Sequence, residues 1–132
     1  MKYLLDTHVF LWSIMDSSQL TEKIINILKK PTNEIFVSSI SIWEIAIKLR
    51  IKKLDLGGLP IKDLLKIGRN LDYSFLDLSP EDALDYLELK EETHKDPFDR
   101  ILITQCIKYK LVMISKDSEF DKFKHDGLKI TW

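Results

Sequence analysis

The chain has 132 residues, of which 45% are apolar, and 20 basic and 21 acidic side chains leave a formal net charge of −1. This length favours a single domain spanning residues 1–132, because chains usually divide only beyond about 250 residues, and the apolar share is typical of a globular fold. The balanced charge excludes a nucleic-acid binder that works through bulk positive charge, and the single cysteine, Cys106, excludes an intrachain disulfide framework and fits a reducing compartment.

Predicted strands and helices alternate along the first half of the chain. Apolar runs without polar alternation are typical of strands buried on both faces, and apolar residues at helical spacing indicate amphipathic helices. Ser38 or Ser39 is a suitable N-cap for the longest helix, which we expect to end near Lys53. In chain order the patterns predict a strand at residues 3–5, helices at 8–12 and 20–28, a strand at 35–37, a helix at 39–53 and a helix at 61–67.

The second half of the chain contains two clear helix starts. Ser79 supplies an N-cap hydroxyl before Pro80 and acids of the first turn, and Asp96 repeats this pattern before Pro97. Strands that alternate with helices predict one open, mostly parallel α/β sheet flanked by helices. Besides these two helices, the patterns predict strands at residues 75–78, 111–114 and 129–132.

The apolar segments are too interrupted to cross a membrane. The longest of them, at residues 35–49, contains three serines, Glu44 and Lys48, whereas a spanning helix needs about 20 mostly apolar residues. The N-terminal segment reaches an acid, Asp6, too early for a secretory signal. We therefore expect a small cytoplasmic domain with no membrane partner.

Four acids lie where an open parallel sheet places its ligands. Such sheets bind ligands outside the carboxyl ends of their strands, near the point where the strand order reverses. Asp6 directly follows the first strand, and Asp117 follows the strand at 111–114. Glu44 lies one and a half turns into the helix after the second strand, and Asp99 lies in the first turn of the helix that precedes residue 111. We expect these carboxylates to converge at one edge of the sheet.

Each acid taken singly also has a structural explanation. Asp6 is better explained alone as a helix cap, and Asp117 as a surface turn residue. Asp96 is expected to cap its helix, with Asp99 either reaching back as the second half of a capping box or facing a cleft.

Glu44 is harder to explain structurally, because apolar side chains flank it on nearly every side. Lys48, one turn later, is positioned for an ion pair, but such a pair is worth only about 0.3–0.5 kcal/mol on an exposed helix. Removing a charge from water costs several times that energy. We therefore expect Glu44 to have a stronger partner than Lys48.

A divalent cation is the partner that would suit all four acids. Two unit charges about 6 Å apart at an effective dielectric constant of about 20 repel by roughly 3 kcal/mol, so converging carboxylates need protons or cations between them. Arg100 is the only nearby arginine that could serve. Oxygen ligands without thiols suit Mg²⁺ or Mn²⁺. The three histidines are isolated from one another, and we expect packing or surface roles for them rather than zinc binding: His8, His94 and His125.

The four acids lie in four short motifs, which are LLDT at 4–7, SSISIWEI at 38–45, HKDPFDRILI at 94–103 and ISKD at 114–117. In this order the motifs resemble those of the PIN domain family, and more specifically those of the VapC-type toxins of VapBC toxin–antitoxin pairs. The resemblance implies a PIN-like three-layer fold and a ribonuclease that uses Mg²⁺ or Mn²⁺ to hydrolyse RNA phosphodiester bonds. Carried over residue by residue, it implies that the metal and the catalysis depend on Asp6, Glu44, Asp99 and Asp117.

The same resemblance implies two protein partners, a second copy in a homodimer and a cognate antitoxin that holds the enzyme inactive. The apolar segments at residues 9–12 and 24–28 could supply dimer or antitoxin surface, or they could belong to the core. We expect the three tryptophans, Trp12, Trp43 and Trp132, in the core or an interface rather than stacked on bases. Eight cationic side chains could form a basic rim around the acids that holds RNA, or they could simply be solvated helix faces, and the sequence favours neither explanation. They are Lys48, Arg50, Lys52, Lys53, Arg100, Lys116, Lys122 and Lys124.

Three other functions compete with that of a ribonuclease. A phospho-receiver module needs a pair of acids after the first strand and an acceptor aspartate after a central strand, but here Asp6 is single and serines follow residues 35–37. A PIN-like domain without catalysis would serve as a binding scaffold. A DNA-directed nuclease of the structure-specific type would need extra length for a clamp around branched DNA.

Overall fold

Five parallel strands form one sheet at the centre of the protein, in a computed structural model that describes residues 1–132. The strands are β1 (Lys2–Leu5), β2 (Glu34–Ser38), β3 (Tyr73–Leu76), β4 (Val112–Ile114) and β5 (Lys129–Thr131). Their order across the sheet is β3-β2-β1-β4-β5, and every neighbouring pair is parallel. The chain therefore builds outward from β1 on one side and then returns to build on the other, which places the switch point between β1 and β4.

Helices fill the connections between the strands. They are α1 (Thr7–Met15), α2 (Glu22–Lys29), α3 (Ser39–Arg50), α4 (Ile61–Asn70), α5 (Pro80–Asp85) and α6 (Pro97–Tyr109). Three further segments are 3₁₀-helical, at Ser17–Gln19, Tyr86–Glu88 and Ser118–Asp126. None of the helices is both long enough and apolar enough to span a lipid bilayer.

Both faces of the sheet are covered, which gives the three layers expected of a PIN-like α/β fold. Successive residues of a strand point to opposite faces, and in β1 Leu5 enters one apolar cluster while Leu4 enters the other. The first cluster packs α1, α2 and α4 against the sheet. The second packs α6 and the segment Ser118–Asp126 against the opposite face, and it contains the buried thiol of Cys106. The predicted fold class is confirmed.

Two element ends differ from the prediction for local physical reasons. Helix α3 ends at Arg50 rather than near Lys53, because Lys52 adopts a left-handed conformation (φ 60°) and the Lys53 amide turns back to the Lys48 carbonyl at 2.8 Å. Strand β3 runs over Tyr73–Leu76 instead of residues 75–78. Its last residue pairs with Ser38, and Ser38 already caps α3, so β2 offers no partner beyond that point.

The segment Ser118–Asp126 is an element that the sequence pattern did not predict. Its charged residues hide two aromatic side chains, Phe120 and Phe123, which are fully buried. It ends at Gly127, whose positive φ of 102° is a conformation that glycine adopts without strain. This segment closes the second core beside the carboxyl end of β4.

Candidate active site

Asp6 lies at the carboxyl end of the central strand with its side chain buried. The backbone amide of Asp6 donates to the Ile114 carbonyl at 3.0 Å, which fixes the end of β1 against β4. Although Asp6 occupies the N-cap position of α1, its side chain makes no capping hydrogen bond. The carboxylate instead accepts a hydrogen bond from Ser115 Oγ at 2.8 Å. The helix-cap explanation is therefore wrong for this side chain, which the fold holds at the switch point.

Asp117 is joined to Asp6 through the same serine. The hydroxyl of Ser115 accepts a hydrogen bond from the Asp117 amide at 3.1 Å while it donates to Asp6. The Asp117 carboxylate caps the following 3₁₀ segment by accepting from the Glu119 amide at 2.9 Å. Asp117 is thus a turn residue, as its sequence context suggests, and it also borders the same cavity as Asp6. That cavity measures about 200 Å³ and is lined by Asp6, His8, Trp12, Lys116 and Asp117.

Glu44 is buried on α3, with 8% of its side chain exposed. Its Oε2 lies 3.0 Å from Lys48 Nζ, so the protein supplies only the neighbouring lysine as its ion-pair partner. A hydrogen bond between the buried hydroxyls of Thr7 and Ser41, at 2.9 Å, ties α1 to α3 next to this position. The negative charge of Glu44 contributes to raising the pKa of Asp6.

Asp99 opens α6, and its side chain points to a histidine. Asp96 is the N-cap, because its Oδ1 accepts from the Asp99 amide at 3.0 Å, and this prediction is confirmed. The second half of the expected capping box is absent. The Asp99 carboxylate instead lies with Oδ2 2.8 Å from His94 Nε2, the distance of a hydrogen bond in which the ring N–H donates. Asp99 is thus available to a cleft rather than to its own helix end.

The protonation behaviour of two acids reflects their crowding. Burial raises the pKa of Asp6 above its usual range, against the opposing effect of the Ser115 hydrogen bond. Burial also raises the pKa of Asp99, to about 7, and the negative charges of Asp96 and Asp6 add to this effect while the His94 bond opposes it. Asp6 thus interacts electrostatically with both Glu44 and Asp99. Such a site gains stability from any cation that neutralises these charges.

The four acids do not form a closed cage. No group of three or more histidine, cysteine, aspartate or glutamate side chains stands in an arrangement that could hold a metal ion. Asp6 is the common member, since it interacts with Glu44 and Asp99 by charge and borders one cavity with Asp117. Mg²⁺ commonly uses one or two carboxylates and completes its coordination with waters and substrate phosphates. The donor set, consisting of carboxylate oxygens, fits Mg²⁺ or Mn²⁺ held in this open manner.

The structure corrects the role expected for Arg100. Its side chain is buried, and its Nη1 donates to the carbonyls of Glu91 at 2.7 Å and His94 at 2.9 Å. The guanidinium carbon also lies 4.9 Å from the centre of the Tyr86 ring. Arg100 is therefore neither part of a basic rim nor a counter-charge for the acids. It instead holds the loop that precedes α6.

Sequence reasoning missed the contact between His94 and Asp99. A packing role was expected for His94, and it is confirmed by ring contacts to Phe120 and Phe123. The additional bond to Asp99 joins a loop to a helix start five residues later, and it carries no periodic signal. The one available sign was that both residues flank the cap at Asp96 and Pro97.

The structure separates alternatives that the sequence left open for the apolar residues. Trp12 and Trp132 pack against the first core, whereas 58% of Trp43 is exposed, which agrees with an interface position rather than a core position. Of the two segments that could belong to the core or to a partner surface, Val9, Phe10, Leu11 and Ile24 are buried in the first core, and Ile25, Ile27 and Leu28 are partly buried against it.

Comparison with protein families agrees with these motifs and this topology. The family model described as the PIN domain matches residues 3–126, which is nearly the whole chain. The chain belongs to the PIN domain family. PIN domains are typically nucleases and generally use divalent metals. Comparison with the sequences of curated proteins gave no match.

Solved structures with a similar fold include chains from two bacteria. The PIN domain is similar to a chain of VapBC2 from Rickettsia felis bound to a DNA fragment from its promoter, with a TM-score of 0.71, 18% identity and coverage of 99% of this chain and 98% of that chain. It is also similar to a chain of FitAcB from Neisseria gonorrhoeae, with a TM-score of 0.60, 17% identity and coverage of 100% and 97%. These likenesses establish the shared fold over the full length of the chain.

Proposed function

We propose that this PIN domain is an Mg²⁺- or Mn²⁺-dependent endoribonuclease and the toxin of a type II toxin–antitoxin pair. The observation that carries the proposal is the electrostatic interaction of Asp6 with Asp99. The two acids come from opposite ends of the sequence, both are desolvated, and the charge of Asp6 raises the pKa of Asp99. Perturbed carboxylates that meet at a switch point are typical of a functional site.

Asp6 and Asp99 are the residues that would bind the cation directly. Ser115 orients the Asp6 carboxylate, and the burial of Asp6 and partial burial of Asp99 restrict access of bulk water. Glu44 and Asp117 would complete the ligand set or orient the attacking water. When bound, a divalent ion acidifies a water molecule for in-line attack on a phosphodiester and neutralises charge on the phosphoryl oxygens.

RNA would be held by cations close to the acids. Lys116 borders the Asp6 cavity, and Lys48 pairs with Glu44 while keeping part of its side chain exposed. These two members of the proposed basic rim therefore lie beside proposed ligands, Asp6 and Glu44. A shallow site of this kind favours unpaired strands, whose phosphates and bases are accessible, as is common in RNA recognition.

Cleavage of total cellular RNA tests the enzymatic proposal. Wild-type protein with Mg²⁺ or Mn²⁺ is expected to produce discrete fragments that EDTA abolishes, while Asp6→Asn and Asp99→Asn fold normally and cleave at least about 100-fold more slowly. Asp96→Asn is the matched control, since asparagine is also a good N-cap and Asp96 is not a proposed ligand. Undiminished cleavage by a chelator-cleaned Asp6→Asn or Asp99→Asn protein would refute the assignment.

The same preparations separate the two alternative functions. A PIN domain that serves only as a binding scaffold would retain RNA in a filter-binding assay without producing metal-dependent fragments. A DNA-directed nuclease would cut a single-stranded DNA of matched sequence in preference to the RNA. Preferential cleavage of the RNA strand supports the proposal over both alternatives.

The toxin assignment includes a cognate antitoxin and a homodimer as partners. It is supported by the motif pattern of the VapC-type toxins and by the likeness to chains of VapBC2 and FitAB complexes. We expect expression of the chain alone in the bacterial cytoplasm to arrest growth, and Asp6→Asn to relieve the arrest. Sedimentation equilibrium of the purified protein tests the homodimer, and a monomer at micromolar concentration would contradict it.

A further inference from the structure

His94 is the one histidine in contact with a proposed ligand. Its Nε2 lies 2.8 Å from Asp99 Oδ2, and only 12% of its side chain is exposed. The other ring nitrogen, Nδ1, lies 3.8 Å from Glu119 Oε2. Both nitrogens therefore face carboxylates, one from α6 and one from the segment Ser118–Asp126.

The imidazole is fixed from three directions. Its centre lies 6.0 Å from the centre of the Phe120 ring and 5.7 Å from that of Phe123, and both phenylalanines are fully buried. Its backbone carbonyl accepts from the buried Arg100 guanidinium at 2.9 Å. Arg100 also donates to the Glu91 carbonyl, so the loop before α6 is anchored at Glu91 and at His94. These contacts hold the His94 ring and its backbone in a fixed position.

The hydrogen bond to His94 uses only one of the two carboxylate oxygens of Asp99. Oδ2 is occupied by His94, whereas Oδ1 has no hydrogen-bond partner within the protein. A carboxylate held through one oxygen presents the other in a defined direction. Carboxylates that bind metals are commonly hydrogen-bonded in this way, and loss of the supporting group typically weakens metal binding about 10–100-fold.

We propose that His94 is a positioning residue that orients the Asp99 carboxylate for a divalent cation through its Nε2–H bond to Oδ2. This inference rests on the proposed function, because it assigns the support of the same cation site. His94 does not bind the cation itself, since its Nε2 is already taken by Asp99 and its Nδ1 faces Glu119.

Calorimetric titration of the metal-free protein with Mn²⁺ tests the proposal without relying on activity. His94→Leu keeps an apolar body against the two phenylalanines and removes the donor, and we expect its Mn²⁺ affinity to fall about 10–100-fold. His94→Gln retains an N–H donor at a similar distance from the backbone and is expected to recover most of the affinity. His125→Leu is the matched control, because the His125 side chain is exposed and lies beside Asp126 rather than Asp99.

Four outcomes would overturn the inference or its basis. Unchanged Mn²⁺ affinity in His94→Leu overturns it, and so does an equal loss in His94→Leu and His94→Gln, since the donor would then not be the cause. If His94→Leu does not fold, His94→Gln is compared with His94→Asn, whose shorter amide cannot reach Asp99, and equal affinities overturn it. Unchanged affinity in Asp99→Asn would refute the cation site of the proposed function itself, whereas a loss there without a loss in His94→Leu refutes only the role of His94.

Discussion

A single hydroxyl links two of the four acids. Ser115 is buried at the end of β4, and its Oγ donates to Asp6 while accepting from the Asp117 amide. A hydroxyl carries one donor and two acceptor lone pairs, so both bonds are made at once. The orientation of the Asp6 carboxylate is thus set by the residue that follows β4.

Replacing Ser115 by alanine should loosen this link. The Asp6 carboxylate would lose a hydrogen bond that lowers its pKa, so the pKa should rise further. We expect Ser115→Ala to bind Mn²⁺ about 10-fold more weakly and to lose about 1–2 kcal/mol of unfolding free energy, measured by calorimetry and urea unfolding. Ser115→Thr keeps the hydroxyl and serves as the control. Equal Mn²⁺ affinities in the alanine variant and the wild type would contradict the linking role.

At the scale of elements, the contact between α5 and α6 contains a buried polar network. Asp82, fully buried in the first turn of α5, accepts hydrogen bonds from Gln105 Nε2 at 3.2 Å and Tyr109 Oη at 2.8 Å. Lys108 Nζ lies 3.0 Å from the same carboxylate. Gln105 in turn accepts from Ser38 Oγ at 2.6 Å, so the network reaches the end of β2. It fixes α6, and with it Asp99, relative to the sheet.

Because Asp82 is ionised in this network, the free energy of unfolding should depend on pH in the acid range. Burial alone would raise the pKa of Asp82, but its hydrogen bonds, with those from Gln105 and Lys108 the strongest, lower it to about 2. The pKa of this carboxyl in the unfolded chain is about 3.9, so between pH 2 and pH 4 the unfolded chain binds more protons than the folded protein. The stabilisation by the ionised Asp82 is therefore fully present above about pH 4 and is lost as the pH falls towards 2. We expect Asp82→Asn to be less stable than the wild type by about 1–3 kcal/mol at pH 6.

Urea unfolding of both proteins at several pH values isolates the effect, because the remaining carboxylates are common to both. The difference in unfolding free energy between wild type and Asp82→Asn should shrink steadily from pH 5 to pH 2. A difference that stays constant over this range would show that the Asp82 carboxylate is not stabilised in its ionised form. Glu81→Gln, at an exposed neighbouring position, provides the control with no expected pH-dependent difference.

At the scale of the whole molecule, the sheet separates two apolar cores. Leu4 and Leu5 are adjacent in sequence, both are completely buried, and they belong to different cores. This arrangement follows from the alternation of side chains along a strand that is covered on both faces. The central strand is therefore held in place from both faces of the sheet.

Truncation of either leucine should cost a similar amount. We expect Leu4→Ala and Leu5→Ala each to lower the unfolding free energy by about 2–5 kcal/mol, because each leaves a cavity in a closed core. Leu87→Ala is the control, since this leucine is 78% exposed and should change stability by less than about 0.5 kcal/mol. A much smaller loss for one of the two buried positions would mean that its side of the sheet is not closed.

The strands and helix starts that depend on short stretches of sequence could be predicted for this protein. Apolar runs gave the central strands, and Ser38, Ser79 and Asp96 marked three helix starts, all of which cap as expected. The environments of the acids were less accessible to sequence reasoning. The burial of Arg100 and its bonds to loop carbonyls depend on contacts between elements, and nothing in a charged residue's own neighbourhood reveals them. The site residues themselves remain predictions, supported by the family motifs and by the charge interactions of Asp6.

The only sulfhydryl of the chain offers a built-in reporter of opening motions. Cys106 is buried on α6, the helix that begins beside Asp99, and burial raises the pKa of its thiol, so the native state has almost no reactive thiolate. Alkylation by iodoacetamide should then proceed only through transient unfolding of this helix. The labelling rate followed by mass spectrometry would measure that unfolding in the unmodified wild-type chain, and added Mn²⁺ should slow it if the cation fastens α6 to the end of β1.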